Sequence, residues 1–283
     1  MHRMEPLHAT TSSAVGLPVV AFVGGGNMSS ALIGGLIKAG ADSARILVVE
    51  PFAEQRVRLG QRFAGLELLA APGASLRAAQ AVVWAVKPQQ FAQAASDSRA
   101  YLGDALHVSI MAGVRCGAIA RQTGASRMVR TMPNTPALIG RGITGLFASV
   151  QASAADRAVA DALLAPAGAR VWVEREEQLD AVTAVSGSGP AYVFLLAEEL
   201  ARAGVEAGLP EALATRLARE TVAGSGELLH RSELSSATLR QNVTSPGGTT
   251  AAALAVLTGP DGMQSLLTRA VAAATKRSKE LAK

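Results

Sequence analysis

Val19-Val20-Ala21-Phe22-Val23 runs without a polar interruption into Gly24-Gly25-Gly26-Asn27-Met28-Ser29. A short apolar run that stops at glycine predicts a buried strand. The residues after it predict a helix over Met28–Ala39, with Ala31, Leu32, Gly35 and Leu36 on one face and Gly40 placed to end it. Strand, glycine turn and helix in this order suit a dinucleotide. Gly24 permits the tight turn. Gly26 lets a pyrophosphate approach the backbone, where the N–H groups and dipole of a helix start hold it. Asn27 and Met28 open that helix, and Ser29 takes the third glycine's place with a side chain small enough for close packing. The next strand, Ile46–Val49, ends at Glu50. A carboxylate there suits adenosine ribose hydroxyls and repels a 2′-phosphate, which favours NADH. Arg56 and Arg58 follow closely enough to offset that repulsion. A glycine turn without a ligand, and a solvated loop carboxylate, are the plainer alternatives.

The alternation continues. Further strands are expected at Leu66–Leu69, Val82–Val86, Val108–Met111, Met128–Met132, Leu146–Ala148 and Val171–Val173, with helical segments between most of them. Apolar strands alternating with helices imply an α/β fold with a doubly wound, mostly parallel sheet of Rossmann type. After Glu177 no convincing strand follows. Ala191–Gly208, Glu211–Arg231, Glu233–Val243, Thr249–Leu257 and Met263–Leu281 all carry helical periodicity. The expected organisation is a loose tail over residues 1–16, a dinucleotide-binding domain over 17–176, and an all-helical dimerisation and substrate domain over 177–283.

Composition narrows the function. With 283 residues, 49% of them hydrophobic, two full cores are affordable. The net charge of +5 is spread along the chain, so no nucleic-acid surface is expected. Cys116 is the single cysteine and has no catalytic motif around it, so packing is its expected role in a reducing, cytoplasmic setting. No apolar run approaches the ~20 residues of a membrane span, and residues 1–16 lack an apolar signal core. The four histidines are scattered, and no nucleophile elbow or paired carboxylates occur, so no metal site and no hydrolytic triad is expected.

Chemistry is expected at strand ends and helix starts. Val86-Lys87-Pro88 ends one strand, and proline there aims Lys87 at the crevice where parallel strands finish. A solvated turn lysine fits equally well. Ala112-Gly113 ends the next strand, and Gly113 has no side chain to obstruct a ring. Met132-Pro133-Asn134-Thr135-Pro136 ends another, where Asn134 is either a cofactor contact or part of a rigid crossover. Two loops rich in glycine and hydroxyls precede helices: Ser186-Gly187-Ser188-Gly189-Pro190 and Thr244-Ser245-Pro246-Gly247-Gly248-Thr249-Thr250. Neither ends in Gly-Lys-Ser/Thr. A small carboxylate is the better ligand guess, and ordinary helix capping is the alternative.

Taken in order, Gly-Gly-Gly-Asn-Met, Ala-Val-Lys-Pro, Ala-Gly-Val, Met-Pro-Asn-Thr-Pro, Ser-Gly-Ser-Gly-Pro-Ala-Tyr and Ser-Pro-Gly-Gly-Thr-Thr resemble the pyrroline-5-carboxylate reductase family from about residue 18 to 281. The resemblance implies reduction of a cyclic imino acid to L-proline, the last step of proline biosynthesis, with NADH or NADPH. It implies a dimer built by the helical domain, often assembled into decamers, with each site completed by a neighbouring subunit. It places the cofactor at Gly24, Gly26, Asn27, Met28, Lys87, Ala112, Gly113 and Asn242. It places the imino-acid carboxylate at Ser245, Gly248, Thr249 and Thr250, with Thr250 at the ring nitrogen. Ser186 joins the substrate set, and Lys87 stands beside Thr250 as a candidate for the chemistry. Glu50 departs from the polar residue that many members carry to suit a 2′-phosphate. Two other readings share the plan. A β-hydroxyacid or related imine dehydrogenase would typically use a lysine in the helical domain, where none occurs between Glu177 and Lys276. A nicotinamide-sensing binding protein would not need Ser-Pro-Gly-Gly-Thr-Thr.

Overall fold

The computed structural model describes residues 17–282. The tail expected over residues 1–16 lies outside them. The described residues up to Gly187, with Thr275 onward, form one compact unit, and Ser188–Ala274 form a second.

The first unit is built on strand β1 (Val20–Val23), helix α1 (Asn27–Lys38), β2 (Ile46–Val49), α2 (Ala53–Arg62), β3 (Glu67–Leu69), β4 (Ala81–Trp84), α3 (Phe91–Ser98), β5 (Leu106–Ser109), α4 (Cys116–Thr123), β6 (Met128–Met132), β7 (Gly142–Ala148), α5 (Ala154–Leu164) and β8 (Gly168–Trp172). The strands form one sheet in the order β3-β2-β1-β4-β5-β6-β7-β8. β1 is hydrogen-bonded in parallel to β2 on one side and β4 on the other. Its side chains alternate as a strand requires. Val20 and Phe22 face α1 and α5, where Leu32, Ile33, Leu36 and Leu163 complete one core. Ala21 and Val23 face the opposite layer of Trp84, Phe91 and Ile119. Fully burying a side chain such as Phe22 contributes ~1.5–3 kcal/mol.

All eight expected strands occur, with moved ends. β4 stops at Trp84, so Ala85 and Val86 belong to the loop beyond it. β7 begins at Gly142, earlier than expected, because Gly142-Ile143-Thr144-Gly145 lacks the apolar run that marks a strand. β7 is antiparallel to β6. Only Pro133–Arg141 joins them, with a single 3₁₀ turn over Thr135–Ile139. A parallel return needs a crossover of a dozen or more residues.

Beyond β8, α6 (Gln178–Val182) passes through a π-helical turn (Thr183–Gly187) into α7 (Gly189–Glu206). Ser186 and Gly187 therefore belong to the π turn rather than to a loop, while Ser188–Pro190 open α7 as expected. Pro190 brings no N–H, which removes the usual partner of the carbonyl four residues earlier. Asn134 replaces it, donating from Nδ2 to the Ser186 carbonyl at 3.1 Å. The run Gln178–Glu206 also holds an 18-residue window of mean hydropathy 1.3, long and apolar enough to cross a membrane by length and composition alone. The chain does carry such a stretch, against expectation, because charges at Asp180, Glu198 and Glu199 break it up in the sequence.

The second unit holds α7, α8 (Glu211–Arg231), α9 (Ser236–Asn242), α10 (Thr249–Leu257) and most of α11 (Met263–Leu281). α7 and α8 pack as a helical hairpin. Their close approach needs small residues: a Cβ on Gly204 would lie 3.1 Å from that of Ala214. Apart from Ala214 and Ala218, α7–α10 bury no residue fully in the single chain. Phe194 is 67% exposed, and Leu195, Leu196, Leu200, Leu213 and Leu217 are exposed beside it.

His107 on β5 is buried against Trp84, whose indole Nε1–H donates to His107 Nδ1 at 3.0 Å. Burial, with a smaller contribution from the Arg127 charge, pushes its pKa down to about 4. The neutral ring is thus favoured by folding. The stabilisation is complete above the ordinary pKa near 6.5 and is lost as pH falls from there through 4, a loss of about 3 kcal/mol. Urea unfolding at pH 7.5, 5.5 and 4 should show His107→Gln losing less stability than wild type across that window. Parallel losses in the two proteins would assign the acid sensitivity to the carboxylates.

Candidate active site

The glycine turn is fixed by what its neighbours leave room for. Gly24 has φ +104, and a Cβ there would lie 2.7 Å from the Ala85 carbonyl oxygen beyond β4. Only glycine fits this crossing of β1 and β4. Ser29 closes the turn, its hydroxyl donating to the Gly24 carbonyl at 2.6 Å. Gly26, by contrast, has nothing within 4 Å of its Cβ position. It caps α1 with no side-chain hydrogen bond, so the first N–H groups of that helix lack a side-chain partner. Gly26 and Asn27 are exposed and Met28 is half-buried. A cradle of bare backbone at a helix start fits a pyrophosphate.

Glu50 behaves differently from the solvated carboxylate a loop position suggests. It is 6% exposed. Oε2 accepts from the Gly25 N–H at 2.9 Å and Oε1 from the Phe52 N–H at 3.0 Å. The carboxylate therefore holds the glycine turn to the end of β2. Gln55, which the sequence reading passed over, and Arg56 complete this corner. Gln55 Nε2 donates to the Gly25 carbonyl at 2.6 Å, and Arg56 Nη1 donates to the Glu50 and Pro51 carbonyls, each at 2.7 Å. Arg56 was visible in sequence as a charge near the ribose end, but its grip on the backbone was not.

Val86, Lys87 and Pro88 follow β4, with Lys87 exposed at the start of a 3₁₀ turn over Pro88–Gln90. Ala112 and Gly113 follow β5, Ala112 exposed and Gly113 half-buried with φ +75. β2, β1, β4 and β5 are consecutive and parallel, so Glu50, the glycine turn, Lys87 and the Ala112–Gly113 ledge line one edge of the sheet, at its topological switch point. Gly113 lacks a side chain for an additional reason: a Cβ there would lie 3.3 Å from the Leu281 carbonyl oxygen, so the end of α11 packs on this ledge.

Asn134 has a structural task. Besides holding the Ser186 carbonyl, its Oδ1 accepts from the Ile143 N–H at 3.0 Å. Its amide ties β6, the start of β7 and the π turn together, which is the crossover alternative realised. Ser186 sits in that turn, its hydroxyl donating to the Val182 carbonyl at 2.9 Å. Cys116 is buried. Burial foremost, with the Glu176 carboxylate beside it, pushes its thiol up to about 12, so it packs rather than reacts.

In the helical unit, Asn242 ends α9 and is exposed. Ser245, Gly248, Thr249 and Thr250 gather at the start of α10. Gly247 has φ +70, and the Gly248 N–H donates to the Ser245 carbonyl at 3.1 Å, which folds the loop back on itself. Gly248 caps α10 and no side chain accepts from its first turn. Neither threonine acts as the cap, and Thr250 is half-buried.

Residues 176–281 match the family described as pyrroline-5-carboxylate reductase dimerisation, and residues 19–113 match that described as NADP oxidoreductase, coenzyme F420-dependent. The chain is 42% identical over 267 residues to a pyrroline-5-carboxylate reductase of Pseudomonas aeruginosa, covering 94% of this chain and 97% of the relative. A pyrroline-5-carboxylate reductase of Coxiella burnetii superposes with a TM-score of 0.89 at 35% identity, over 95% of this chain and all of that one. A Plasmodium falciparum pyrroline carboxylate reductase, solved with NADP bound, superposes at 0.78 with 29% identity, over 94% and 98% of the two chains. With the dimerisation family matched over residues 176–281 and relatives of this name matched at up to 42% identity over nearly the whole chain, the chain belongs to the pyrroline-5-carboxylate reductase family.

Proposed function

We propose that this chain reduces 1-pyrroline-5-carboxylate to L-proline with NADH at least as readily as with NADPH, working as a homodimer or a ring of dimers in the cytoplasm. The observation that carries the reading is the pair of helix starts without side-chain caps, α1 behind Gly26 and α10 behind Gly248. One suits a pyrophosphate and the other a small carboxylate. A bound reduced nicotinamide supplies a hydride to the carbon of the C=N bond.

The protein's tasks are then positional. Gly24, Gly26, Asn27 and Met28 hold the pyrophosphate. Val86, Lys87, Pro88, Ala112 and Gly113 form the platform beyond it, with Asn242 a further contact. Ser245, Gly248 and Thr249 bind the substrate carboxylate, and the Thr250 hydroxyl hydrogen-bonds the ring nitrogen. Asn134 and Ser186 support the platform through the π turn. Alignment of this kind supplies ~7–11 kcal/mol of the barrier lowering, so no strong acid is required. The apolar face of α7 and α8 is read as the surface that meets a second copy, in the region that matches the dimerisation family. That reading accounts for the long apolar helix without a membrane.

Cofactor preference tests the ribose corner. The Glu50 carboxylate sits beside the expected ribose position and disfavours a 2′-phosphate, with Arg56 partly offsetting it. Wild type should show kcat/KM for NADH equal to or above that for NADPH. Glu50→Ser should lower both, because the turn loses two hydrogen bonds, while raising the NADPH-to-NADH ratio about five- to tenfold. A wild type strongly selective for NADPH overturns this part.

Assembly has a direct check. Sedimentation should find no active monomer, since α7 and α8 leave Phe194, Leu195, Leu196, Leu200, Leu213 and Leu217 exposed, and an extended apolar surface marks an interaction site. A monodisperse, fully active monomer refutes the interface.

Thr250→Ala should reduce kcat/KM about ten- to a hundredfold, the loss of one hydrogen bond to a charged group at ~1.5–3 kcal/mol. Because Thr250 caps nothing, the melting temperature and NADH affinity should stay at wild-type values. Unchanged kinetics would remove Thr250 from the chemistry.

A further inference from the structure

The loop from β5 to α4 carries the Ala112–Gly113 ledge, and its outer end is held by a group of charges that the reaction does not use, Asp180 and Arg130 buried and Arg115 and Glu176 partly so. Arg115 Nη2 donates to Asp180 Oδ2 at 3.2 Å. The Cys116 N–H donates to Glu176 Oε1 at 2.8 Å, and Arg130 Nη1 reaches the same oxygen at 3.2 Å. Asp180 is fully buried. Its second oxygen accepts from the Ser278 hydroxyl at 2.7 Å. Ser278 lies in the last turn of α11, one turn before Leu281, whose backbone packs on Gly113. One carboxylate on α6 thus joins both supports of the ledge: the loop through Arg115, and the helix end through Ser278.

We propose that Asp180, with Arg115 and Ser278 as its two arms, is a positioning residue for the reduced nicotinamide dinucleotide, locking the end of α11 against Gly113 so that the ledge keeps one height. The inference rests on reading the Ala112–Gly113 ledge as part of the cofactor platform, which the crevice rule for parallel sheets supports independently. A buried carboxylate that loses one of two partners is strongly disfavoured, so its arms hold together rather than adjust singly. Gly113 has little slack of its own, with φ +75 and the Leu281 carbonyl oxygen 3.3 Å from its Cβ position. A shift of helix or loop moves the ledge. A displaced ledge loses contact with the bound dinucleotide, which weakens cofactor binding and slows transfer while leaving most of the fold intact.

The test replaces Ser278 in the full-length enzyme. Ser278→Ala should raise both the KM for NADH and the Kd from fluorescence titration about five- to twentyfold, the range expected when one hydrogen bond to a buried charge is lost. The KM for 1-pyrroline-5-carboxylate should stay within about twofold, and Ser278→Thr should restore NADH binding. Arg115→Lys, which keeps the charge and loses the fork, should show the same selective effect more weakly, and it serves if Ser278→Ala does not fold. NADH binding at wild-type strength in both variants overturns the proposal, whatever happens to the melting temperature. Equal rises in the two KM values also overturn it, since that pattern marks general loosening. If wild type binds neither NADH nor NADPH, the cofactor reading and this inference fall together. If wild type binds and turns over while the variants match it, only this inference falls.

Discussion

Everything in the first unit depends on β1 being paired on both edges and buried on both faces. A strand in that position has no room for polar side chains, so its functional contribution must come from where it ends. It ends against the carbonyl of Ala85, close enough that Gly24 is obligatory. The same crossing opens the cradle over Gly26, because a chain that turns this tightly enters α1 before any side chain covers the helix start. Binding geometry here is a by-product of sheet packing, which is why rigid parallel sheets repeatedly present ligands at their carboxyl edge.

Much of the unit was legible in the sequence, for a physical reason. Strands buried on two faces are apolar along their whole length, so Val20–Val23, Ile46–Val49 and Ala81–Trp84 stand out without an alignment. β7 stood out only in its second half, Leu146–Ala148, because its first half, Gly142-Ile143-Thr144-Gly145, includes two glycines chosen for close approach rather than apolar content. A Cβ on Gly145 would lie 2.7 Å from a Val182 methyl carbon. The π turn was hidden for a related reason. Ser-Gly-Ser-Gly-Pro reads locally as a helix-starting loop, and only the long-range donor from Asn134 makes a continuous helix tolerable there.

The site shows the same division. A residue that acts through backbone shape, such as Gly24 in its tight turn, could be read from order and spacing. Side chains that act through distant partners could not. Glu50 was read as facing a ribose, yet its two oxygens hold the N–H groups of Gly25 and Phe52. Asn134 was read as either a cofactor contact or part of a rigid crossover, and its amide holds Ser186 and Ile143. Gly113 looked bare for a ring, and it is bare also for Leu281. In each case the sequence marked the position as special, and the partner far along the chain decided why. The charged group around Asp180 carried a faint signal, Glu176-Glu177 and Asp180 just ahead of a helix, but nothing in the sequence pairs it with Arg115 or Ser278.

The helical unit inverts the first unit's logic. There the chain buries its apolar residues by itself. Here α7 to α10 leave Phe194 and a series of leucines exposed, and bury little beyond two alanines. Helices gain most of their stability from packing an apolar face, not from intrinsic propensity. A hairpin whose apolar face stays wet has forgone that gain, and the matching surface of a second copy is the simplest way to recover it. Folding of this unit and association are then linked by mass action, so its apparent stability rises with protein concentration. The uncapped start of α10, with Gly248 and Thr250, belongs to this same unit. On the proposed reading of that start as the carboxylate site, its rigidity depends on association and the dimer becomes a condition of catalysis.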